Sequence, residues 1–174
     1  MTGVQTCALP ISLDVPGNIP GLDRRSSNKT AEWNFYCDPL AVQKVFDAGV
    51  PVFLVPLDAT NQVPVSEIFK QELAAIDNPP ARFYTKVLHL LTGALGQRDT
   101  FYLWDPITTA CALDPDLAVF TKRKVAMVTD PGDEWGRVRE TRDGTEIHVA
   151  ARIDARRFEE TMINAFSSYK ITGN

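Results

Sequence analysis

Residues 38–57, which read DPLAVQKVFDAGVPVFLVPL, decide the fold class of this chain. Asp38 before Pro39 predicts a helix start, because a carboxylate can cap the first turn and proline fits the first helical position. Apolar side chains then recur at helical spacing up to Gly49, where we expect the helix to end. Residues 50–57 form a continuous apolar run, typical of a strand covered on both faces. The stretch therefore predicts a helix followed by a buried strand of an α/β sheet.

Helix signals continue towards the middle of the chain. Ser66 is placed to cap a helix that runs through Ala75, and residues 81–95 predict a longer helix. The longer helix carries one apolar stripe, which consists of Phe83, Val87, Leu88, Leu91 and Leu95. Helices placed in this way can cover both faces of a sheet.

The C-terminal part predicts one more helix and a set of strands. Asp105 and Pro106 open a helix that ends near Leu113, and residues 118–129 indicate one strand or two short ones.

A turn signal and a last helix follow. Residues 137–141 and 145–150 flank an Asp-Gly pair at positions 143 and 144, which is typical of a β-hairpin. Asp154 then caps a final amphipathic helix. The predicted fold is α/β, with an open, mainly parallel sheet flanked by helices and a β-hairpin near the C-terminus.

The first eleven residues are predicted to be foreign to the protein. Residues 1–11 read MTGVQTCALPI, which resembles a translated DNA-sequencing adaptor with Met1 standing for a GTG start. We therefore expect the natural sequence to begin near Ser12 inside a longer reading frame, so that the fold is incomplete at its N-terminus. Residues 12–174 would be the C-terminal portion of a single domain. The alternative is a genuine short N-terminal strand.

Charge and hydropathy exclude several classes of partner. The net charge is −4, and the 18 lysines and arginines are scattered except at residues 122–124, so we expect no nucleic-acid partner. No apolar run approaches the roughly 20 residues that cross a bilayer, and the N-terminus lacks the features of a signal peptide. These observations favour a cytoplasmic protein with no membrane partner. Three widely spaced cysteines without CxxC spacing predict free thiols.

Three polar stretches stand where an α/β sheet binds ligands. The first is Gly17-Asn18-Ile19 together with AEWNF at residues 31–35, and the second is LDATN at residues 57–61, directly after the buried strand. The third is LWDPITTA at residues 103–110, at a helix start. Ligands in open α/β sheets lie beyond the carboxyl ends of strands, so these stretches form the candidate site.

Together the three stretches resemble the nucleoside hydrolase family. Gly-Asn followed by Ala-Glu-Trp-Asn and Asp-Pro is similar to the family's ribose-binding segment, and Leu-Asp-Ala-Thr-Asn is similar to the turn after a central strand. Trp-Asp-Pro-Ile-Thr resembles the C-terminal metal-ligand motif. The resemblance runs from about Ser12 to the C-terminus, with the three motifs in the family's order.

The resemblance implies a sugar-binding role for part of the first stretch. Glu32 and Asn34 would bind ribose hydroxyls, and Asn18 would reach the sugar from the preceding loop, with Asn28 as a further candidate. Hydrogen bonds that strengthen as the ring becomes oxocarbenium-like lower the barrier selectively. A solvated loop before a helix is the alternative interpretation.

The resemblance also implies a catalytic role for Asp105 as a ligand of Ca²⁺, the ion that holds and polarises the attacking water. A helix N-cap would explain the same residue. Calcium takes six to eight oxygens, and the sequence supplies one matched carboxylate without the family's N-terminal Asp-x-Asp-x-x-x-Asp-Asp cluster. We therefore expect the 174-residue chain alone to bind calcium weakly and to show negligible activity.

Trp104 and Trp33 bear on substrate preference. In many relatives a histidine that acts as general acid precedes the matched aspartate, and Trp104 occupies that position here. This resembles purine-preferring members, in which an indole stacks on the base and assists its departure. His89 and His148 match no catalytic position of the family and are predicted to be structural.

The implied activity is hydrolysis of the N-glycosidic bond of purine nucleosides to ribose and free base, by a homodimer or homotetramer. Two alternatives stay open: a pyrimidine-preferring or non-specific hydrolase, and a non-catalytic remnant or ribose-binding module. A core position for Trp104 is a further alternative to its role in base binding.

Overall fold

A mixed, open sheet carries the fold in the computed structural model, which describes residues 6–8, 13–94 and 101–170. Its strands are β1 (Thr6–Ala8), β2 (Val52–Leu54), β3 (Ala118–Met127), β4 (Val138–Glu140) and β5 (Thr145–Ile153). The order across the sheet is β1-β2-β5-β3-β4, in which β1, β2 and β5 are parallel and β3 is antiparallel to both of its neighbours. The predicted α/β class is confirmed.

Helices lie between β1 and β2 and between β2 and β3, and a last helix follows β5. In chain order they are α1 (Ile19–Leu22), α2 (Trp33–Cys37), α3 (Pro39–Asp47), α4 (Leu57–Thr60), α5 (Glu67–Ala75), α6 (Pro79–Ala94), α7 (Trp104–Leu113) and α8 (Ala155–Ser167). None of the described helices is both long and apolar enough to span a membrane.

The chain divides into two compact units. The first comprises Met1–Gln62 and Trp104–Ile153, and the second comprises Val63–Leu103 and Asp154–Asn174. The sheet lies in the first unit, whereas α5, α6 and α8 lie in the second.

The core of the first unit lies on one face of the sheet. Its buried side chains are Phe35, Phe46, Val52, Leu54, Val125, Met127, Val138, Ile147 and Val149. The helix that supplies Phe46 begins as predicted, because the Asp38 carboxylate accepts a hydrogen bond from the Ala41 amide at 2.9 Å. Gly49 follows this helix with a φ of 69°, a conformation that favours glycine.

The buried strand is shorter than predicted. Residues 50–57 are apolar, but β2 covers three of them, Val52–Leu54, and Leu57 already begins α4. Pro51 and Pro56 flank the strand and have no amide hydrogen, so neither can donate to the sheet.

The antiparallel part of the sheet pairs differently from the predicted hairpin. β4 and β5 do not pair with each other, because β3 lies between them. The chain runs along one edge of β3 as β4, crosses at Val125, which pairs with both Glu140 and Thr145, and continues along the other edge as β5. Gly144 makes this crossing possible, since a Cβ there would lie 2.6 Å from the Val125 backbone.

The second unit is built from helices whose N-terminal caps agree with the sequence. Ser66 accepts from the Phe69 amide at 3.0 Å, and Asp154 accepts from the Arg157 amide at 3.1 Å. The α5 helix packs against both α6 and α8.

The predicted apolar stripe of α6 is confirmed only in part. Leu88 is buried as predicted, but Phe83 is 68% exposed and Leu91 is 38% exposed, whereas Ala81, outside the predicted stripe, is buried. Tyr84, next to Phe83, packs on Phe166 with ring centroids 5.2 Å apart. The buried face is therefore rotated by about one residue from the predicted stripe, and Leu95 lies outside the described residues.

Segments excluded from the fold prediction also appear in the structure. Thr6–Ala8 forms β1, which pairs in parallel with β2, and residues 1–5 and 9–12 lie outside the description. The adaptor origin of residues 1–11 stays a prediction. The thiol of Cys37 is free and exposed as expected, Cys111 is buried, and the side chain of Cys7 is outside the description.

Candidate functional site

A buried carboxylate stands at the start of α2. Glu32 is 2% exposed and occupies the N-cap position of this helix. One oxygen, Oε2, accepts hydrogen bonds from the amides of Asn34 at 2.8 Å and Phe35 at 3.2 Å, and Oε1 accepts from the Asn34 side chain at 2.9 Å. The carboxylate is therefore held in one orientation before any ligand arrives.

Opposing effects act on the charge of Glu32. Burial raises its pKa above the ordinary value of 4.5, because desolvation disfavours the ionised form. Hydrogen bonds from Phe35, Asn34 and Asn18 act in the other direction without cancelling the effect of burial. A carboxyl group whose pKa is raised by burial within a polar cluster is typical of a functional site.

Asn18 joins this carboxylate from the preceding loop. Its Oδ1 accepts from the Trp33 amide at 2.8 Å. The loop can lie this close because Gly17 has no side chain: a Cβ there would lie 2.0 Å from the Ala31 carbonyl oxygen. The structure thus brings Asn18, Glu32, Trp33 and Asn34 together, and we call these four residues the Glu32 cluster.

Within the Glu32 cluster, Trp33 takes part through its backbone. The residue is 38% exposed, and its ring stacks on Tyr36 with centroids 6.4 Å apart. Trp33 therefore keeps an accessible aromatic surface next to the buried carboxylate.

Asn28 has a different environment from the predicted sugar ligands. It is 2% exposed, its Nδ2 donates to the Trp135 carbonyl at 2.7 Å, and its Oδ1 accepts from the amides of Thr30 and Ala31. The side chain holds the loop before α2, so the structure does not support Asn28 as a sugar ligand.

Trp104 is the first residue of α7 and is half-buried. Its indole Nε1 donates a hydrogen bond to Oδ1 of Asn61 at 2.9 Å, and its carbonyl accepts from the Thr108 hydroxyl at 3.0 Å. The second and third polar stretches of the sequence therefore meet at this pair. A half-buried Trp104 is compatible with the core alternative and with a role in base binding, so the choice between the two stays a prediction.

Asp105 is exposed and lies in the first turn of α7. The helix begins at Trp104, two residues before the start at Pro106 that an N-cap role for Asp105 requires, so Asp105 lies inside the first turn and does not precede it. A negative charge at this end is stabilised by the helix dipole, and the carboxylate stays accessible to a cation.

Three residues of the LDATN stretch, for which the sequence predicts no individual role, make long-range contacts or are buried in the structure. They are Asp58, Thr60 and Asn61. Asp58 accepts from the Leu13 amide at 2.9 Å and from the Asp14 amide at 2.7 Å. Thr60 is fully buried, and its Oγ1 has no hydrogen-bond partner among the described residues. The position of this stretch after a buried strand is the feature of the sequence that indicates a site here. The contact of Asn61 with Trp104 spans 43 residues, so no local sequence pattern indicates it.

The sequence model described as inosine-uridine preferring nucleoside hydrolase matches residues 11–160. The chain belongs to this family. Among curated nucleoside hydrolases, the chain is 35% identical over 97 residues to nucleoside hydrolase 3 of Arabidopsis thaliana, covering 51% of this chain and 10% of the relative. It is 36% identical over 93 residues to the pyrimidine-specific ribonucleoside hydrolase RihA of Shewanella woodyi, covering 50% and 29% of the two chains.

Solved nucleoside hydrolases share the fold. A plant nucleoside hydrolase superposes with a TM-score of 0.80 at 22% identity, covering 95% of this chain and 54% of the other. The inosine-uridine preferring nucleoside hydrolase of Bacillus anthracis superposes with a TM-score of 0.66 at 27% identity, covering 94% and 49%. The chain spans about half the length of these structures, and less of the curated relatives.

Membership of the nucleoside hydrolase family raises the question of a metal ion. Among the residues that the structure describes, no group of three or more His, Cys, Asp or Glu side chains could hold one. Asp105 offers one exposed carboxylate, far fewer oxygens than the six to eight that calcium takes. The described residues therefore do not fit a metal ion by themselves.

The two histidines of this nucleoside hydrolase chain belong neither to the Glu32 cluster nor to the contact between Asn61 and Trp104. His148 on β5 stacks on Phe53 with centroids 4.5 Å apart, and His89 is exposed on α6. The interplanar angle of 8° places the imidazole flat against the phenyl ring, as in a packing contact within the sheet.

Proposed function

We propose that this chain supplies the sugar-binding and base-binding side chains of a hydrolase that cleaves the N-glycosidic bond of purine ribonucleosides to ribose and free base. The observation that carries the proposal is the Glu32 cluster, in which a buried carboxylate is fixed by Asn34 and Phe35 within the segment that matches the family. Hydrolysis of nucleosides is the activity named for several relatives of the chain.

The Glu32 cluster suits a ribose ligand because hydroxyl groups need both acceptors and donors. The Glu32 carboxylate accepts, and the amide side chains of Asn18 and Asn34 offer both functions. Since Glu32 is already oriented by Asn34 and Phe35, little reorganisation is needed when the sugar binds. Hydrogen bonds to the ribose hydroxyls that strengthen in an oxocarbenium-like transition state favour bond cleavage over simple binding.

The purine preference rests on Trp104. An indole offers a large flat surface, and offset stacking contributes about 0.5–1.5 kcal/mol beyond the burial of area. The exposed ring of Trp33 offers a second aromatic surface beside the sugar-binding side chains. A preference for pyrimidines is the alternative, favoured by 36% identity to a relative described as pyrimidine-specific.

The proposal gives Asp105 the role of one calcium ligand. Its carboxylate is an oxygen donor of the type calcium prefers, and it is exposed at a helix N-terminus. The remaining ligands would lie outside the described residues. The whole enzyme is proposed to be cytoplasmic and to form a homodimer or homotetramer, which fractionation and light scattering would test.

A non-catalytic ribose-binding module is the second candidate. It is favoured by the Glu32 cluster, whose acceptor and donor groups can hold a ribose without a metal ion. The two candidates share the Glu32 cluster but differ in turnover.

Titration of the 174-residue chain with inosine and with uridine, combined with a ribose-release assay in calcium, tests the proposal. We expect inosine to bind more tightly than uridine, Asn34→Ala to weaken binding up to about tenfold, and ribose release to be negligible. Asn164→Ala, at an exposed position on α8, is the matched control and should bind like the wild type.

The outcomes separate the alternatives. Tighter binding of uridine would favour the pyrimidine alternative, and ribose release that Asp105→Ala abolishes would show that this chain catalyses by itself. Absence of nucleoside binding would contradict the sugar-binding role of the Glu32 cluster.

A further inference from the structure

The contact between Asn61 and Trp104 joins two helix ends that are distant in sequence. Asn61 follows the last residue of α4, and Trp104 is the first residue of α7. From the 2.9 Å hydrogen bond between them, we propose that Asn61 is a positioning residue that fixes the plane of the Trp104 indole for stacking on a nucleobase. This inference rests on the proposed function, in which Trp104 faces the base.

Both sides of the contact are anchored. The backbone N–H of Asn61 donates to the Leu57 carbonyl at 2.9 Å, and this bond holds the backbone of Asn61 at the end of α4. The carbonyl of Trp104 accepts from the Thr108 hydroxyl one turn further along α7. The indole is thus held at its backbone by the helix and at Nε1 by Asn61, which leaves its two side-chain torsions little freedom.

The neighbour of Asn61 ties the same segment to the sheet. Gln62 donates from Nε2 to the Asp58 carbonyl at 2.7 Å and to the Ala151 carbonyl at 3.0 Å, and Ala151 lies in β5. The acceptor that receives the indole N–H is therefore carried by a segment fixed to the sheet, not by a free loop.

The geometry of the hydrogen bond suits base stacking. The Nε1–H bond of an indole lies in the ring plane and is a donor without acceptor capacity. A hydrogen bond at this edge fixes the plane of the ring without using its π faces, which are the surfaces that stack on a base. A side chain oriented beforehand also loses less conformational freedom on binding, so affinity should fall by about fivefold when the orientation is released.

The experiment compares Asn61→Ala, which removes the acceptor, with Asn61→Asp, which keeps an oxygen at the same position. The readout is the indole N–H cross-peak of Trp104 in a ¹H–¹⁵N spectrum of the chain, assigned with Trp104→Phe, with and without the free base hypoxanthine. In Asn61→Ala we expect the cross-peak to move upfield, to exchange faster with water, and to report hypoxanthine binding about fivefold weaker.

Asn61→Asp should restore the protected cross-peak and most of the hypoxanthine affinity. Asn164→Ala is the matched control and should match the wild type in both readouts. A purely structural role would lower the thermal midpoint without a difference between Asn61→Ala and Asn61→Asp in affinity.

An unchanged indole cross-peak in Asn61→Ala would overturn the positioning role whatever the chain binds. A shifted cross-peak with unchanged hypoxanthine affinity would also overturn it. If the wild-type chain shows the protected cross-peak but no response to hypoxanthine, the base-binding part of the proposed function fails, and the positioning role fails with it.

Discussion

At the scale of single residues, Glu32 combines burial with a role in the candidate site. A carboxylate that is 2% exposed is costly to ionise, and hydrogen bonds from Asn34 and Phe35 offset part of that cost. An apolar residue would avoid that cost but would leave the amides of Asn34 and Phe35 without their N-cap acceptor. The carboxylate therefore caps α2, and it is also the fixed acceptor that the proposed sugar-binding role needs.

The pH dependence of stability tests the state of Glu32. Its pKa in the folded chain is raised above 4.5, so the folded state holds the proton more tightly than the unfolded state. The contribution of Glu32 to the free energy of unfolding is therefore largest below pH 4.5 and decreases as the pH rises through the folded-state pKa. Glu32→Gln removes this dependence. Its side-chain NH₂ group would also face donors of Asn34 or Phe35, which lowers the free energy of unfolding by an amount on the order of 1–3 kcal/mol.

Urea denaturation of both proteins at several pH values measures this effect. The difference between wild type and Glu32→Gln should be largest at acid pH and should narrow as the pH rises. Glu72→Gln, at an exposed position on α5, is the matched control and should stay within about 0.5 kcal/mol of wild type. A difference that widens with pH would show that the hydrogen bonds outweigh burial.

At the scale of elements, the strand order of the sheet depends on a close approach between the backbones of Gly144 and Val125. The chain crosses from one edge of β3 to the other at Val125, and Gly144 is the residue that passes over it. The crossing places β5 next to β2, which completes the parallel part of the sheet.

We expect Gly144→Ala to destabilise the chain by about 1–3 kcal/mol, because its Cβ would lie 2.6 Å from the Val125 backbone. Gly93→Ala in α6 is the matched control. Nothing lies within 4 Å of its added Cβ, and alanine favours the helix, so this variant should gain on the order of 0.5–1 kcal/mol. Urea midpoints measure both changes, and equal midpoints for the two variants would contradict the crossing.

At the scale of the whole molecule, the balance of charge and the distribution of carboxylates bear on ions. The chain carries a net charge of −4, yet its described acidic side chains do not gather into a metal-binding group. Net charge alone attracts cations diffusely and does not coordinate them.

Calcium titration of the 174-residue chain should therefore give a dissociation constant no tighter than about 1 mM. Asp105→Ala should leave this weak binding nearly unchanged, as should Asp143→Ala at an exposed turn position, which serves as the control. Calorimetry measures all three proteins. Micromolar binding that disappears in Asp105→Ala alone would show that the chain supplies further ligands near Asp105.

The sequence by itself determined the features that depend on a few neighbouring residues. Asp38, Ser66 and Asp154 were predicted as helix caps, and each accepts a hydrogen bond from an amide three residues further on. Caps are readable in this way because donor and acceptor belong to the same turn. The α/β class and the family followed from hydrophobic periodicity and from three short motifs.

The tertiary structure decided the features in which distant segments meet. The Asn61 contact with Trp104, the Asp58 contact with Leu13 and the crossing of β3 each join residues that no local pattern pairs. The orientation of α6 likewise depends on which neighbours cover it, so that Tyr84 faces inwards and Phe83 faces solvent. Periodicity states that a helix has an apolar side, but packing against other elements selects the face that is buried.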